Sequence, residues 1–368
     1  MTTADEIGWV GTSDTLERLV AALKRTSLAA VDTEFVREKT YYPQLCLIQI
    51  ATRDDVACVD CLAPLDLSPL YAELFRPDFT WVLHSARQDL EVVWQRTQRM
   101  PPHLIDTQIA AALTGNAPQL GLENLLARTL GVELGESYAR TDWSRRPLPP
   151  AALAYALDDV RHLLAAWDKV QAQLEELGRT AWLDEECARV LAERPEADTL
   201  TVWARLKGVH GLPFAGQCAA LALVRWREAA AQRSDRPRRW LLTDELLLAI
   251  AAAMPRDIAA LGTLVPEKFA ARNGATVLAA VAAHAQPELQ AEVRANASQA
   301  APDKNVVKAL QERVRQHAAK LGLEPEILAT RRDLVAVAAG RPPAHLARGW
   351  RAAELAALLE SDTTAAVT

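Results

Sequence analysis

Two carboxylates stand together where a predicted strand ends, in the run Asp32-Thr33-Glu34. Side chains alternate along an extended chain, so Asp32 and Glu34 point to one face and Thr33 to the other. Two unpaired carboxylates buried together are costly, and a hard divalent cation held by oxygen ligands is the usual compensation. The spacing therefore indicates a metal site, with a solvated strand end as the alternative for an isolated Asp-x-Glu.

A third acid, Asp89, lies in the first turn of a helix that follows a predicted strand and a short polar turn. This position is close to the carboxyl edge of the predicted sheet, where the first two acids also lie. An acid in a first helical turn suits the helix dipole, so a simple helix-start role is the alternative.

A fourth acid, Asp159, shares a helix face with Tyr155, because four residues separate them and one helical turn is 3.6 residues. Asp158 projects elsewhere. A phenol and a carboxylate one turn apart can reach the same small site. The alternative is a buried, hydrogen-bonded Tyr–Asp pair with no chemical role.

The first half of the chain alternates strand and helix patterns, which predicts an α/β domain. The predicted strands are residues 28–35, 45–51, 56–62 and 81–84, and helical patterns occupy residues 16–25, 68–75 and 89–96. Only residues 52–55 join the second strand to the third, too few for a parallel crossover. These strands should pair antiparallel, and the sheet should be mixed.

The rest of the chain is predicted to be helical, beginning with residues 120–130, 149–177 and 180–193. Beyond about residue 200, prolines and glycines divide Ala- and Leu-rich helices into two similar units. A polar, alanine-rich segment at 287–302 separates the units. Their matching helices are 221–232 and 306–320, 243–254 and 330–339, and 275–283 and 352–360.

Composition favours a globular protein of two or three domains, since half of the 368 residues are apolar and the formal charge is only -6. The acidic start has no signal-peptide pattern and no apolar run is long enough to span a bilayer, so we expect a cytoplasmic protein without membrane contact. Five cysteines suggest reduced thiols. Cys58 and Cys61 have redox or zinc spacing, but no second pair accompanies them.

Taken together, these motifs resemble the DEDD exonuclease superfamily, and within it the ribonuclease D family. Residues 31–37 and 41–50 resemble the first motif and its flank, residues 84–93 the second, and residues 142–148 with 155–160 the third. The helical half resembles two HRDC modules. The resemblance implies a ribonuclease H-like, mixed-sheet exonuclease domain at 1–198, a first HRDC domain at 199–288 and an HRDC-like domain at 300–368.

Members of the superfamily differ in whether a Tyr or a His assists the attacking water. The His branch has its histidine five residues before the last Asp, and this chain has Ala154 there. Tyr155 has the four-residue spacing of the Tyr branch. The resemblance therefore places the chain in the Tyr branch.

The resemblance also implies a cofactor of two divalent cations, Mg²⁺ or Mn²⁺. Asp32 would bridge both, Glu34 and Asp159 would hold the ion that carries the attacking water, and Asp89 would act near the second ion. Tyr155 would orient that water. The expected contacts to the terminal nucleotide are Thr33, Phe35, Tyr42, Gln49 and His84. Core packing is the alternative for the two aromatic residues, and hydrogen bonding to buried backbone groups is the alternative for Gln49 and His84.

The expected function is a metal-dependent 3′→5′ exoribonuclease that trims the 3′ ends of tRNA precursors and other structured RNAs and releases 5′ mononucleotides. We expect it to act as a monomer. The alternatives are a DNA 3′–5′ exonuclease and a non-catalytic scaffold that binds RNA or protein. A basic stretch with interleaved aromatics is a further RNA-contact candidate, or else a solvated face; its arginines are Arg225, Arg227, Arg236, Arg238 and Arg239.

Overall fold

The computed structural model of the chain describes residues 7–193, 198–296 and 302–359. In this part of the chain six strands form one sheet. They are β1 Gly8–Val10, β2 Leu28–Val36, β3 Gln44–Ala51, β4 Val56–Asp60, β5 Thr80–Leu83 and β6 His103–Asp106.

The strand order is β1-β4-β3-β2-β5-β6, which places β2 near the middle of the sheet. β3 and β4 are antiparallel, with Ile48 opposite Val59. The pairs β1/β4, β2/β5 and β5/β6 are parallel. A tight turn joins β3 to β4, since the Thr52 N–H donates to the Asp55 carbonyl over 2.8 Å. The prediction of a mixed sheet with an antiparallel hairpin is confirmed.

Helices form most of the remaining described chain. They are α1 Ser13–Leu23, α2 Ser68–Leu74, α3 Arg87–Thr97, α4 Thr107–Leu113, α5 Leu122–Leu130, α6 Pro150–Arg161, α7 Leu163–Glu176, α8 Thr180–Ala192, α9 Thr199–Ala204, α10 Phe214–Ser234, α11 Arg238–Leu241, α12 Asp244–Ala253, α13 Ile258–Gly262, α14 Glu267–Ala282, α15 Pro287–Asn296, α16 Lys304–Leu321, α17 Pro325–Leu328, α18 Arg331–Ala338 and α19 Gly349–Leu359.

The described residues divide into two compact units, each with its own apolar core. The first unit contains the sheet, α1–α8 and the last helices α16–α19. The second unit contains α9–α15 together with residues 37–44, the segment between β2 and β3. The C-terminal helices therefore share a core with the sheet, and the domain boundaries expected from the sequence stay a prediction.

Several elements differ from the sequence patterns. β1 and β6 are only three and four residues long, too short for alternation to be detected. The predicted helix at 149–177 is two helices, α6 and α7, which break at His162. The polar segment after Pro287 begins as α15, because Leu289 and Val293 are buried in the second core.

None of the helices in the described ranges combines the length and apolar character needed to cross a bilayer.

Candidate active site

The first two acids lie on β2, which runs through the first core before it emerges at the site. Residues 29–31 are fully buried, and Ala30 lies opposite Val82 of the parallel strand β5. Asp32 and Glu34 follow as half-buried residues. They are two positions apart on an extended strand, so their carboxylates share one face.

Asp159 reaches these carboxylates from α6, a helix that packs against β2 and β4. Ala152, Ala156 and Val160 are its fully buried face. Carboxylate oxygens of Asp32, Glu34 and Asp159 all lie within 4.8 Å of one another. Strand and helix thus bring together three acids that are up to 127 positions apart in the sequence (159 − 32).

Asp89 adjoins this cluster from the first turn of α3. Its carboxylate is buried, and its Oδ1 accepts hydrogen bonds from the Thr33 hydroxyl at 2.6 Å and the Thr33 N–H at 3.1 Å. The side chain thus bonds across to β2. These hydrogen bonds connect α3 to Thr33, the middle residue of the Asp32-Thr33-Glu34 run.

The electrostatics of the cluster are those of like charges held together. Burial, and then the charges of Asp89, Asp159 and Glu34, raise the pKa of Asp32 well above its usual range. Burial and the charges of Asp159 and Asp89 raise the pKa of Glu34 to about 9. Burial raises the pKa of Asp159 to about 7 and that of Asp89 to about 6, although hydrogen bonds from Tyr155 and Thr33 act in the opposite direction. Shifted pKa values of this kind are typical of functional sites.

The donor set fits a hard divalent cation. Carboxylate oxygens are the ligands that Mg²⁺, Mn²⁺ and Ca²⁺ take in proteins, and three of them converge here. A cation among them would remove the mutual repulsion that raises their pKa values.

Tyr155 lies one turn before Asp159 on α6, and its hydroxyl acts to lower the pKa of the Asp159 carboxylate. Burial and the charges of Asp159 and Glu34 raise the pKa of the phenol. The ring packs near two other aromatic rings: the centroid of buried Trp143 is 6.4 Å away at an interplanar angle of 25°, and that of Tyr138 is 6.3 Å away. These rings limit the directions that the hydroxyl can take.

Asp106 is a supporting residue that the sequence pattern did not reveal. Its buried carboxylate caps α4 by accepting from the Gln108 N–H at 2.9 Å. It also accepts from the N–H groups of Ser85 at 3.1 Å and Ala86 at 2.9 Å, the turn that leads into α3. One carboxylate therefore fixes the turn that presents Asp89. An acid before a helix is the only sequence signal, and it predicts only the cap.

Arg146 is a second supporting residue, in the segment before α6. Its guanidinium binds the Asp60 carboxylate through two nitrogens, at 2.9 and 2.5 Å. It also donates to the Trp143 carbonyl at 2.8 Å and the Cys46 carbonyl at 3.2 Å. This bidentate pair holds the segment that carries Trp143 against the sheet. Its acid is 86 positions away, so no local pattern predicts it.

The predicted substrate contacts of this unit have different surroundings. Phe35 is half-buried against the core, next to Glu34. Gln49 is fully buried on β3, and its amide has no hydrogen-bond partner among the described residues. Both ring nitrogens of His84 are engaged, by the Thr107 hydroxyl and the Leu120 carbonyl, each at 2.9 Å. A substrate role for these residues stays a prediction.

In the second unit, three of the five candidate arginines are engaged within the protein. Arg225 pairs with Glu292, and Arg238 with Glu228. Arg227 is 3 % exposed and binds Asp244 at 2.7 Å and the Leu242 carbonyl at 2.9 Å. Arg236 and Arg239 are exposed. Tyr42 also lies in this unit.

Comparison with known proteins agrees with this geometry. Residues 7–175 match the family model of a 3′–5′ exonuclease, and residues 219–281 match that of the HRDC domain. The first range contains all four acids and Tyr155. The second lies in the first predicted helical module, and a second HRDC module stays a prediction.

Two curated relatives are similar to this protein over almost the whole chain. Ribonuclease D of Granulibacter bethesdensis is 37 % identical over 92 % of this chain and 88 % of its own. Ribonuclease D of Xanthomonas oryzae pv. oryzae is 39 % identical over 94 % and 95 %.

The crystal structure of Escherichia coli RNase D, an exoribonuclease involved in structured RNA processing, is 29 % identical with a TM-score of 0.83 and covers 98 % of both chains. The catalytic core of RRP6 from Trypanosoma brucei is 26 % identical with a TM-score of 0.58, over 75 % of this chain and 79 % of its own. Sequence, fold and carboxylate cluster agree, and the chain belongs to the ribonuclease D family of 3′–5′ exoribonucleases.

Proposed function

We propose that this protein removes nucleotides from the 3′ ends of tRNA precursors and other structured RNAs by metal-dependent hydrolysis, and that it releases 5′ mononucleotides. The observation that carries the proposal is the convergence of Asp32, Glu34 and Asp159 within 4.8 Å, with their pKa values raised. In a member of the ribonuclease D family, such a cluster is suited to binding a cation that contacts the phosphodiester group of the substrate.

Asp32, Glu34 and Asp159 would hold one divalent cation, and Asp32 with Asp89 would hold a second. Bound Mg²⁺ or Mn²⁺ would supply positive charge for the phosphate and lower the pKa of a bound water. Loss of any of these carboxylates should therefore weaken cation binding.

The hydrolysis itself is a substitution at phosphorus. The oxygen of water forms a bond to phosphorus, the bond from phosphorus to the 3′ oxygen breaks, and the departing 3′ oxygen gains a proton. The products are a 5′ mononucleotide and an RNA that is one nucleotide shorter and ends in a 3′ hydroxyl. Another cycle can then begin on that end.

Tyr155 would orient the attacking water. Its hydroxyl acts to lower the pKa of Asp159, one of the proposed cation ligands, and Trp143 and Tyr138 restrict its ring. The phenol is thus positioned beside the carboxylate that would face the water. Orientation of a reactant in this way contributes to rate without a change in cation affinity.

Phe35 is the strongest candidate for contact with the terminal nucleotide, since it follows Glu34 directly and is half-buried. A base can stack on a phenyl ring without regard to its identity. Thr33 would contribute indirectly, because its hydroxyl and N–H are both bonded to Asp89.

The test uses 5′-labelled RNA and DNA of the same sequence, each with Mg²⁺ or with EDTA, and a tRNA precursor with a 3′ extension. We expect stepwise shortening of RNA that requires Mg²⁺, slower attack on DNA, and trimming of the extension. Faster attack on DNA would favour a DNA exonuclease. Binding of RNA with no metal-dependent release of mononucleotides would favour a non-catalytic scaffold.

We further propose that the protein acts in the cytoplasm as a monomer. Light scattering of the purified chain during size-exclusion chromatography tests the second statement. A mass near 40.3 kDa is expected, and twice that mass would contradict it.

A further inference from the structure

Exposed aromatic and basic side chains gather in the second unit where α10 turns into α11. We call Tyr42, Arg236, Arg239 and Trp240 the corner patch. Asp235 lies at the turn with a φ of 46°, and Pro237 precedes α11. The two arginines and the tryptophan therefore lie on one short stretch of chain.

The two arginines of the corner patch have no salt bridge among the described residues, unlike three other arginines of this unit. Arg225, Arg227 and Arg238 pair with acids of the same unit. Arg236 and Arg239 are exposed. Hydrogen bonds from its own backbone and from Thr243, together with the charge of Arg239, lower the pKa of exposed Glu245. The two guanidinium groups of the corner patch remain able to bind an anion.

Trp240 is 62 % exposed, the highest exposure among the large apolar side chains of the described residues. An exposed tryptophan does not gain the favourable free energy of burying its large apolar surface. Exposed aromatic residues therefore often mark binding surfaces. By contrast, Trp226 in the same unit packs edge-on against Phe269, at 6.1 Å, and donates to the Thr276 hydroxyl.

Tyr42 is 40 % exposed and is held in place by its surroundings. The Asp235 carboxylate accepts from the N–H groups of Tyr41 and Tyr42, both at 3.0 Å. The Tyr41 ring packs edge-on against the Tyr42 ring, with 4.8 Å between the ring centroids. The Arg238 guanidinium lies 4.9 Å from the centroid of the Tyr41 ring. These contacts connect Tyr42 with α11 and present its ring on the surface.

The ion pair between Arg238 and Glu228 lies next to the corner patch and supports Tyr41. Glu228 is 4 % exposed, binds Arg238 and accepts a hydrogen bond from the Tyr41 hydroxyl. Hydrogen bonds from Arg238 and Tyr41 outweigh the effect of burial and lower the pKa of Glu228. Glu228 therefore neutralises Arg238, while Arg236 and Arg239 are exposed and have no salt bridge among the described residues.

From these contacts we infer that the corner patch binds single-stranded RNA, with bases stacked on Trp240 and Tyr42 and phosphates bound by Arg236 and Arg239. The inference rests on the proposed function. Aromatic rings accept any base as a stacking partner, and guanidinium groups bind phosphate through two nitrogens. Single strands are favoured because the bases of a duplex are already stacked on each other.

The test measures the dissociation constant of a fluorescent single strand of about 20 nucleotides in EDTA, where no hydrolysis occurs. Trp240→Ala should raise it about tenfold. Arg236→Gln with Arg239→Gln should also raise it, and should reduce the slope of log Kd against log salt by about 1.4, for two phosphate contacts. The matched controls on the same unit are Ile258→Ala, which removes another exposed apolar side chain, and Arg256→Gln with Lys268→Gln, which removes the same charge.

Three outcomes of the binding measurements would overturn the inference. These are unchanged RNA binding by the patch variants, an equal loss in the controls, or an equal loss for duplex RNA. Hydrolysis of a p-nitrophenyl nucleotide ester, which has no RNA chain, must remain intact in Trp240→Ala; a parallel loss there would also contradict the inference. If the wild type binds RNA through the patch but does not hydrolyse it, the proposed function fails and the patch stands.

Discussion

Half-buried and buried acids occur in two settings in this protein, and their pKa values move in opposite directions. At the candidate active site, burial and neighbouring carboxylates raise the pKa values of Asp32 and Glu34. In α8, Glu186 is 3 % exposed, yet the charges of Arg351 and Arg189 outweigh the effect of burial and lower its pKa.

The direction of the pKa shift distinguishes a site suited to binding a cation from a contact that stabilises the fold. Glu186 accepts from the Trp350 indole at 3.0 Å and pairs with Arg189 and Arg351, so its charge is satisfied within the chain. The Asp32 cluster brings like charges together, and their repulsion destabilises the folded state. Substitutions in the two settings should therefore have opposite effects on activity and stability.

The largest effect should come from Asp32→Asn. Loss of a shared cation ligand should reduce RNA hydrolysis by about a thousandfold or more, since bound metal supplies several kcal/mol of charge stabilisation. Without metal, the variant should unfold at the same or a higher urea concentration, because one repulsive charge is gone. Asp158→Asn is the control, since that acid pairs with Arg161 at 3.0 Å, outside the cluster. Near-normal activity in Asp32→Asn would contradict the cluster's role.

Tyr155→Phe should have the next largest effect. It keeps the ring against Trp143 but removes the hydroxyl that acts on the pKa of Asp159. We expect kcat to fall about a hundredfold, with Mn²⁺ affinity unchanged. Single-turnover kinetics together with a Mn²⁺ titration measure both quantities, and an unchanged kcat would mean that Tyr155 only packs.

Glu186→Gln should affect stability instead of chemistry. Arg351 and Arg189 would lose their charged partner, so the free energy of unfolding should fall by about 3 kcal/mol. Urea unfolding measures this change. Glu312→Gln breaks an exposed pair with Arg315 and should change stability little. Equal stability of the two variants would refute the structural role of Glu186.

The smallest effect concerns pH in the metal-free protein. The folded cluster has pKa values of about 6, 7 and 9 at Asp89, Asp159 and Glu34, above the unfolded values near 4. The folded state therefore binds more protons, and this stabilisation is present at low pH and lost as pH rises through those values. Glu186 and Glu228 have lowered pKa values, so their contributions are lost only in acid.

Unfolding in urea with EDTA should thus show stability falling between about pH 5 and pH 9. Glu34→Gln should flatten the upper part of that decline, since Glu34 has the pKa of about 9. Identical pH profiles for the wild type and this variant would contradict the raised pKa of Glu34.

The acids of the site were predictable because each carries a local signal. Asp32 and Glu34 share the alternation of a strand, and Tyr155 and Asp159 share the period of a helix. The family resemblance then indicated that these separate signals belong to one site. The structure brings three of the acids together and places Asp89 beside them.

The supporting residues were not predictable, because pairing between distant positions leaves no local pattern. Nothing near Arg146 indicates Asp60, and nothing near Arg227 or Arg238 separates a paired arginine from a free one. The basic stretch therefore looked uniform in the sequence. Only the tertiary contacts distinguish the arginines that pair with acids from the exposed arginines of the corner patch.

Titration of Mn²⁺ into the wild type and two variants by calorimetry tests the central claim most directly. Asp159→Asn and Asp158→Asn change adjacent residues of α6, but only Asp159 belongs to the carboxylate cluster. We predict that the wild type and Asp158→Asn bind Mn²⁺ alike, and that Asp159→Asn loses at least one ion. Equal Mn²⁺ binding by all three proteins would contradict the assignment of the cluster as the metal site.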